Sequence, residues 1–434
     1  MLPHFDFAYV PLVSGFIISI ELVLLLFGAY LFYTTLSAND HFSKFIEVTT
    51  SLSSKLFVLI VLCVFMGSFL EGIAGFGIPA MLIAPLLITL GFKPLTSIVL
   101  PLAANTTAVT FGAIGTPLKV GLGIYEPDDT VVFTLFLNSL PALILPFLLA
   151  FLYSKTEQTS VQLKKNWKML LGAGCSLAVP YTVMGFYSVE YPSVIAGLFG
   201  LLFFVTFFTP KKERPPFRFW LTTFYPYVLF VFFLAVAKYF LSDFYWYTPL
   251  SSRSLSLYQP GIVFVFTSIV YLYFFHKNNP ISQFCFQCKT TYFKTNKSIA
   301  TIFLLVCLAQ LIQADLSTLI NTYYSELHQT TKLVATPIIG VVGSFISGSA
   351  TMSNLLFGNA IKTSEIVGNN LPLLLALLHT GSCIGNAVSL QNIIMVKSVV
   401  NQPTIGYANV LKYNLVFVLF YVLIIVLLSL LVVS

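Results

Sequence analysis

Long apolar stretches, each nearly free of charge, constrain this chain more than any other feature. Pro11 to Leu36 holds one charged side chain, Glu21. Comparable stretches run Val131 to Tyr153, Met169 to Gly185, Pro192 to Phe208, Leu221 to Leu241, Gly261 to Phe275, Ile299 to Tyr323 and Val410 to Val433. About 20 such residues span a bilayer as a helix, since only internally bonded backbone can cross hydrocarbon. Charged residues are 9% of the 434, against about a quarter in soluble chains. Water could not hold so much apolar surface apart, which excludes a soluble enzyme. The expected fold class is all-α, a polytopic membrane protein of about 10–13 membrane segments. The start, MLPHFDFAYV, has no basic region, and the apolar stretch behind it is too long for a cleaved signal, so it reads as the first membrane helix.

The basic residues number 22 against 15 acidic but are dispersed, so nucleic-acid binding has no support. Six cysteines are too few and scattered for a disulfide scaffold. Cys285 and Cys288 form a CxxC pair, which reads as a plain loop because two further metal ligands are lacking at useful spacing. No cofactor or metal is expected, and without HExxH, GxSxG or an aspartate pair an embedded enzyme has no support.

Lys and Arg in short loops are retained on the cytoplasmic side. Lys155, Lys164, Lys165 and Lys168 mark one such loop, Lys211, Lys212, Arg214 and Arg218 a second, and Lys277, Lys289, Lys294 and Lys297 a third. The loops between them carry Glu190, Asp243 and Glu326 with a single basic residue, Arg253, and are assigned outside. Glu126, Asp128 and Asp129 then fall outside and Lys44 and Lys55 inside.

Two stretches, Leu56 to Gly123 and Leu333 to Val399, are apolar but punctuated by Gly, Pro, Ser, Thr and Asn, as broken helices are. GSFLEG at Gly67 recurs as GSFISG at Gly343, and about fifty residues later each copy reaches a second polar break, at Phe111 to Pro117 and at Gly385 to Asn392. The charge argument runs the copies in opposite directions, an inverted duplication whose discontinuous helices meet near the midplane, as in secondary transporters. The expected organisation is one membrane-embedded transporter domain, 1–434. Its parts are a first repeat core at 56–123, connecting helices at 131–323, a second repeat core at 333–399 and a C-terminal helix at 410–434.

Unwound backbone is tolerated in a membrane only where protein or a watery cavity surrounds it, so the breaks mark the solute site. Pro79 and Thr116-Pro117 suit the first turns of new helices, whose N–H groups and partial positive charge attract a carboxylate. The candidate anion ligands are Thr116, Ser349, Thr351, Ser353, Asn354, Gln391 and Asn392, which offer hydroxyls and amides without a fixed opposite charge. Their bland alternative is helix packing or bonding to their own backbone. Glu71, a carboxylate at membrane depth, is the candidate for proton coupling, with His379 as a second titratable group in an apolar helix. A structural carboxylate and a histidine satisfied by a carbonyl are the respective alternatives. Glu21 lies near the middle of the first helix, where an interhelical hydrogen bond competes with a relay role. Lys238 and Asp315 fall near helix ends, where snorkelling explains them, and are left out of the site.

At these residues the chain resembles the bacterial lactate permease family. The matching pieces are GSFLEGIAGFGIPAMLIAPLL from Gly67, LPLAANTTAVTFGAIGTPL from Leu100 and GSFISGSATMSNLLFG from Gly343. The resemblance implies a bacterial inner-membrane permease for lactate and related 2-hydroxymonocarboxylates such as glycolate, working as a proton symporter. It also implies kinship with the ion transporter superfamily, with paired re-entrant hairpins and elevator-like motion. The family usually has further helices ahead of the point corresponding to Ser14. Ile78 stands where it commonly has Thr, Ala350 where it has Asn, and the amide pattern near His379 is altered. The expected partners are a small carboxylate, a co-transported proton and the lipid bilayer, with a homodimer left open. Sodium coupling through Asn105, Thr106 and Thr107 is the rival within the class, and an anion channel the rival outside it.

Overall fold

The computed structural model describes residues 4–39, 54–75, 77–209, 214, 217–242, 244–246, 255–275, 279–324, 326–364, 370–400 and 405–433. Lys44, Lys211, Lys212, Asp243, Arg253 and Lys277 lie outside the described residues. Helices dominate, and among the described residues six are long and apolar enough to cross a membrane, or eight if each bent pair forms one span. Four shorter apolar helices accompany them. The protein is a multi-pass, all-α membrane protein.

The chain forms two compact units, residues 1–51 with 215–312 and residues 52–214 with 313–434. The first unit contains α1 (His4–Ala38), α9 (Phe217–Leu241), α10 (Pro260–Phe275) and the start of α11 (Pro280–Tyr324). Two short strands, β1 (Tyr245–Trp246) and β2 (Leu255–Ser256), pair antiparallel in it. Aromatic rings fill its centre, with Phe230 stacked on Phe264 at 3.8 Å between centroids and Phe32 leaning on both. Glu21 on α1 accepts a bond from Gln259 Nε2 at 3.3 Å.

One expectation fails here. The segment carrying Cys285, Cys288, Lys289, Lys294 and Lys297 is helical, part of α11, and not a loop. Lys, Gln, Thr and Asn alternate there with Phe and Tyr. The mixture hides a helix from a search for uniformly apolar runs, although nothing in it breaks one.

The second unit holds both interrupted stretches. The first copy consists of α2 (Lys55–Ile73), α3 (Ile78–Thr89), α4 (Pro94–Val109), α5 (Gly112–Leu122) and α6 (Asp129–Glu157). Helices α7 (Leu163–Gly185) and α8 (Pro192–Phe208) follow. The second copy consists of α12 (Gln329–Ser347), α13 (Ala350–Ser364), α14 (Leu371–Gly385), α15 (Leu390–Val400) and α16 (Tyr407–Val433).

Local chemistry sets the ends of these elements. Ser54 caps α2 by accepting from Phe57 N at 3.2 Å, and Asp128 caps α6 by accepting from Val131 N at 3.0 Å. Pro94 opens α4 at a position where its missing N–H costs nothing. Inside α2, Val61–Met66 forms a fully buried π-helical turn just ahead of Gly67.

The two interrupted stretches, each taken with the helix after it, match in element order, and four of the five helix pairs nearly in length. Paired lengths are 19 and 19 residues for α2 and α12, 16 and 15 for α4 and α14, 11 and 11 for α5 and α15, and 29 and 27 for α6 and α16. Their packing is exchanged as well: α3 lies on α15 and α13 on α5, α4 on α16 and α14 on α6. Within the second copy, α12 and α14 approach so closely that a Cβ on Gly340 would meet Leu378 O and one on Gly381 would meet Pro337 O.

Candidate functional site

Four interruptions of helical backbone converge on one small cavity. Its wall takes Glu71, Gly75 and Gly77 from the break between α2 and α3, and Gly112, Ala113 and Pro117 from that between α4 and α5. The second copy adds Gly348, Ser349 and Thr351 from the break between α12 and α13, and Asn386 from that between α14 and α15. At about 20 Å³ the cavity has room for about one water.

The first breaks are built alike. Gly77 (φ 73°) precedes α3 and Gly348 (φ 76°) precedes α13, both in the left-handed region that side chains disfavour. Each is backed by an amide of the other break in the second copy's α15: Asn392 lies against Gly77, and Gln391 against Gly348.

The break between α4 and α5 is unusual. Ala113 (φ 47°, ψ 51°), Ile114 (φ 55°, ψ 45°) and Gly115 (φ 72°, ψ 15°) form three consecutive left-handed residues, two of them with side chains. Each non-glycine residue so placed costs about 1–2 kcal/mol, so surrounding contacts must over-determine the turn. Right-handed helix resumes at Thr116-Pro117, with Pro117 on the cavity wall.

Glu71 is 3% exposed and accepts a bond from Asn105 Nδ2 on α4 at 2.8 Å. Its Oε1 lies where a Cβ on Gly112 would stand 2.9 Å away, so the carboxylate packs directly on the second break. No cation pairs with it among the described residues. Asn105 Oδ1, beside it, is buried without a partner.

The structure divides the other candidates. Ser349 and Thr351 line the cavity with Glu71. Thr116 is buried and donates to Ala113 O at 2.5 Å, fastening the left-handed turn. Ser353 donates to Gly340 O at 2.9 Å and accepts from Ser382 Oγ at 2.8 Å, which ties α12, α13 and α14 together. Asn392 Nδ2 reaches Asn386 O at 3.3 Å. Asn354 Nδ2 donates to Pro117 O at 3.0 Å and meets His379 Nδ1 at 2.9 Å, while His379 Nε2 meets Thr110 O at 3.0 Å. Ser353, Asn354 and His379 thus have partners in protein and are absent from the cavity wall.

Sequence reasoning missed one feature. Lys119 on α5 pairs with Glu190 at 2.6 Å, a nearly buried ion pair whose side chains are 13% and 2% exposed. Glu190 belongs to the loop before α8, and Val189 O of that loop lies over Gly115 at the left-handed turn. A lone lysine inside the apolar run GTPLKVGL was the available signal. Asn386, one of the polar residues the second break offers by sequence, lies on the cavity wall.

A polytopic helical protein with discontinuous helices meeting at an internal polar cavity is a membrane transporter in architecture. The model of the L-lactate permease family matches residues 5–217 and 249–434, and the chain belongs to that family. It is 28% identical to an L-lactate permease of Streptococcus iniae over 81% of this chain and 78% of that one. It is 27% identical to a putative L-lactate permease of Haemophilus influenzae, over 76% and 72% respectively. The glycolate permease GlcA of Escherichia coli is 30% identical over 48% of this chain and 38% of its own length.

Proposed function

We propose that this permease carries lactate or a related small 2-hydroxymonocarboxylate by proton symport across a bacterial inner membrane. The observation that carries the reading is the convergence of all four breaks on a cavity with a single carboxylate, Glu71. The two interrupted stretches act as inverted copies, and exchanged packing of their half-helices supports that relation. Ser349 and Thr351 offer hydroxyls to the solute, and the backbone at Ala113 and Pro117 presents a restarting helix toward its carboxylate. Thr116, Gln391 and Asn392 hold these breaks in shape around it. Because 20 Å³ is far too small for a hydroxycarboxylate, loading requires the breaks to part.

Coupling follows from charge. An anion beside ionised Glu71, in a site with little water, faces strong repulsion. A proton on Glu71 removes it, so anion and proton favour each other's binding by the reciprocity of linkage, and symport further requires that the half-loaded carrier cross poorly.

Sodium coupling is a second reading, favoured by the partnerless Asn105 Oδ1 next to the Glu71 carboxylate, since oxygens of that kind suit a hard cation. Proteoliposomes with separately imposed pH and sodium gradients decide. Labelled lactate should accumulate on a pH gradient alone, with glycolate competing better than dicarboxylates. Accumulation that follows sodium and ignores the pH gradient overturns the proton assignment. Unsaturable conductance in place of saturable counterflow overturns the carrier.

A further inference from the structure

Asn354 and His379 are completely buried in the second copy, yet both reach the first copy's backbone. The groups they meet fix their chemistry. Thr110 O and Pro117 O are carbonyls and only accept. The ring nitrogen facing Thr110, Nε2, therefore bears the imidazole proton, and the end of Asn354 facing Pro117 is the amide nitrogen. That same amide lies 2.9 Å from His379 Nδ1, which is left as the acceptor. The result is a closed chain in which Asn354 donates to Pro117 O and to His379, and His379 donates to Thr110 O. Both ring nitrogens of a neutral imidazole and both amide hydrogens are used.

The two carbonyls stand on either side of Ala113, Ile114 and Gly115, the left-handed residues of the cavity wall. A backbone this strained needs constraint at both ends, and the Asn354–His379 couple supplies it from the opposite copy. The couple rides on α13 and α14, the helices flanking two other breaks of the same cavity.

We propose that His379 and Asn354 are positioning residues: a neutral clasp that holds the left-handed turn of the first copy in its cavity-lining shape. Solute loading in one copy is thereby tied to the arrangement of the other. His379 acts without titrating, and the transported proton passes elsewhere. The titratable groups around it are Cys383 on its own helix, with Sγ 3.8 Å from Nδ1, Tyr421 on α16, whose hydroxyl bonds Thr107 and Asn138, and Tyr181 on α7 and Glu71 on α2, both of which interact electrostatically with Cys383. The proposal rests on reading the cavity as the solute site.

The test uses the full chain in proteoliposomes. His379→Gln keeps a donor near the position of Nε2 but cannot carry a proton at neutral pH. It should retain pH-driven lactate accumulation with the wild-type pH profile. His379→Leu and Asn354→Leu should raise KM for lactate about tenfold, the order expected when buried carbonyls lose their donors. A second readout needs no solute: in a background without other cysteines, Ala113→Cys should react slowly with a small thiol reagent, and faster when either leucine change is added. If the leucine variants do not reach the membrane, Asn354→Ser takes their place, with a smaller KM rise and the same faster labelling expected.

Two results overturn the clasp. One is loss of pH-driven accumulation in His379→Gln with lactate exchange and labelling at position 113 intact, which would make His379 a proton carrier. The other is labelling at position 113 unchanged by every clasp variant. Failure of the solute-site reading looks different: Ser349→Ala and Thr351→Ala would leave lactate KM untouched while clasp variants still altered labelling.

Discussion

Between α4 and α5 the chain passes through Gly112, Ala113, Ile114 and Gly115; at the matching point between α14 and α15 it passes through Asn386, Ala387, Val388 and Ser389. The first passage is left-handed and is gripped from the other copy by Asn354 and His379. The second is a succession of short turns, with Asn386 N bonding Cys383 O, Ala387 N bonding Ile384 O and Val388 N bonding Gly385 O. Two of its carbonyls are met by side chains of the second stretch and the helix after it, Asn386 O by Asn392 and Ala387 O by Asn414. Equivalent breaks thus differ in what holds them. The second copy stabilises itself and also shapes the first, whereas the first contributes the carboxylate and the strained backbone. The two interrupted stretches thus divide into a charged, strained half and a hydroxyl- and amide-rich bracing half.

The largest contrast lies in a pair of lysines. Lys119 and Lys397 occupy the same position, eighth in the 11-residue helices α5 and α15. Lys119 pairs with buried Glu190, while Lys397 lies 3.9 Å from the centre of the Tyr407 ring. Removing one partner of a buried pair costs about 3–5 kcal/mol, because the other charge remains in a medium that solvates it poorly. A partly exposed cation–ring contact is worth about 0.5–1 kcal/mol. Unfolding of purified protein should therefore show Lys119→Met far more damaging than Lys397→Met, with Lys119→Met combined with Glu190→Leu recovering most of the loss. Equal losses would mean that the ion pair sets α5 apart from α15 in no energetic sense.

The first breaks give a smaller contrast. Gly75 (φ 63°) and Gly348 (φ 76°) are both left-handed, so an added methyl costs about 1–2 kcal/mol at either. At Gly75 the new Cβ would lie 2.6 Å from Ala113 Cβ, which is fixed to the strained turn; at Gly348 it would meet Gln391, whose amide end can swing away but whose Cβ, 2.8 Å off, cannot. Both changes should add overpacking of about 1–3 kcal/mol, the larger share at Gly75→Ala, which should also lower lactate affinity. Unfolding and uptake measured on the two variants check this. Similar behaviour would show that both breaks yield equally.

Much of this frame was visible in the chain itself. Apolar runs place the spanning helices because hydrocarbon leaves the backbone no alternative, and Gly75, Gly77, Pro79, Gly348 and Pro117 announce where helix must stop and restart. What could not be read is which polar groups face one another. Glu190 is 71 residues from Lys119, and Asn354 is 237 from Pro117, so their contacts arise from packing of helices and not from local pattern. Hydroxyls and amides carry no mark distinguishing a solute contact from a backbone tie. Ser349, just ahead of α13, lines the cavity, while Ser353, four residues on, is tied to Gly340 O away from it. Left-handed backbone at Ala113 and Ile114 was equally hidden, since neither residue type favours it.

The smallest expected effect tests that hidden turn directly. Ala113→Gly removes one methyl from a site that is 4% exposed, losing about 0.8 kcal/mol of burial and adding about 0.5–1 kcal/mol of backbone entropy, but releases about 1–2 kcal/mol of left-handed strain. The net change in stability should be within about 1 kcal/mol of zero. At the matching Ala387, completely buried and not left-handed, the same change loses the methyl and adds about 0.5–1 kcal/mol of backbone entropy, with no strain to recover. Ala387→Gly should therefore destabilise by about 1–2 kcal/mol in an unfolding titration run side by side with Ala113→Gly. Identical losses at the two positions would require that position 113 stores no strain, and the asymmetry between the copies would then reside in their side chains alone.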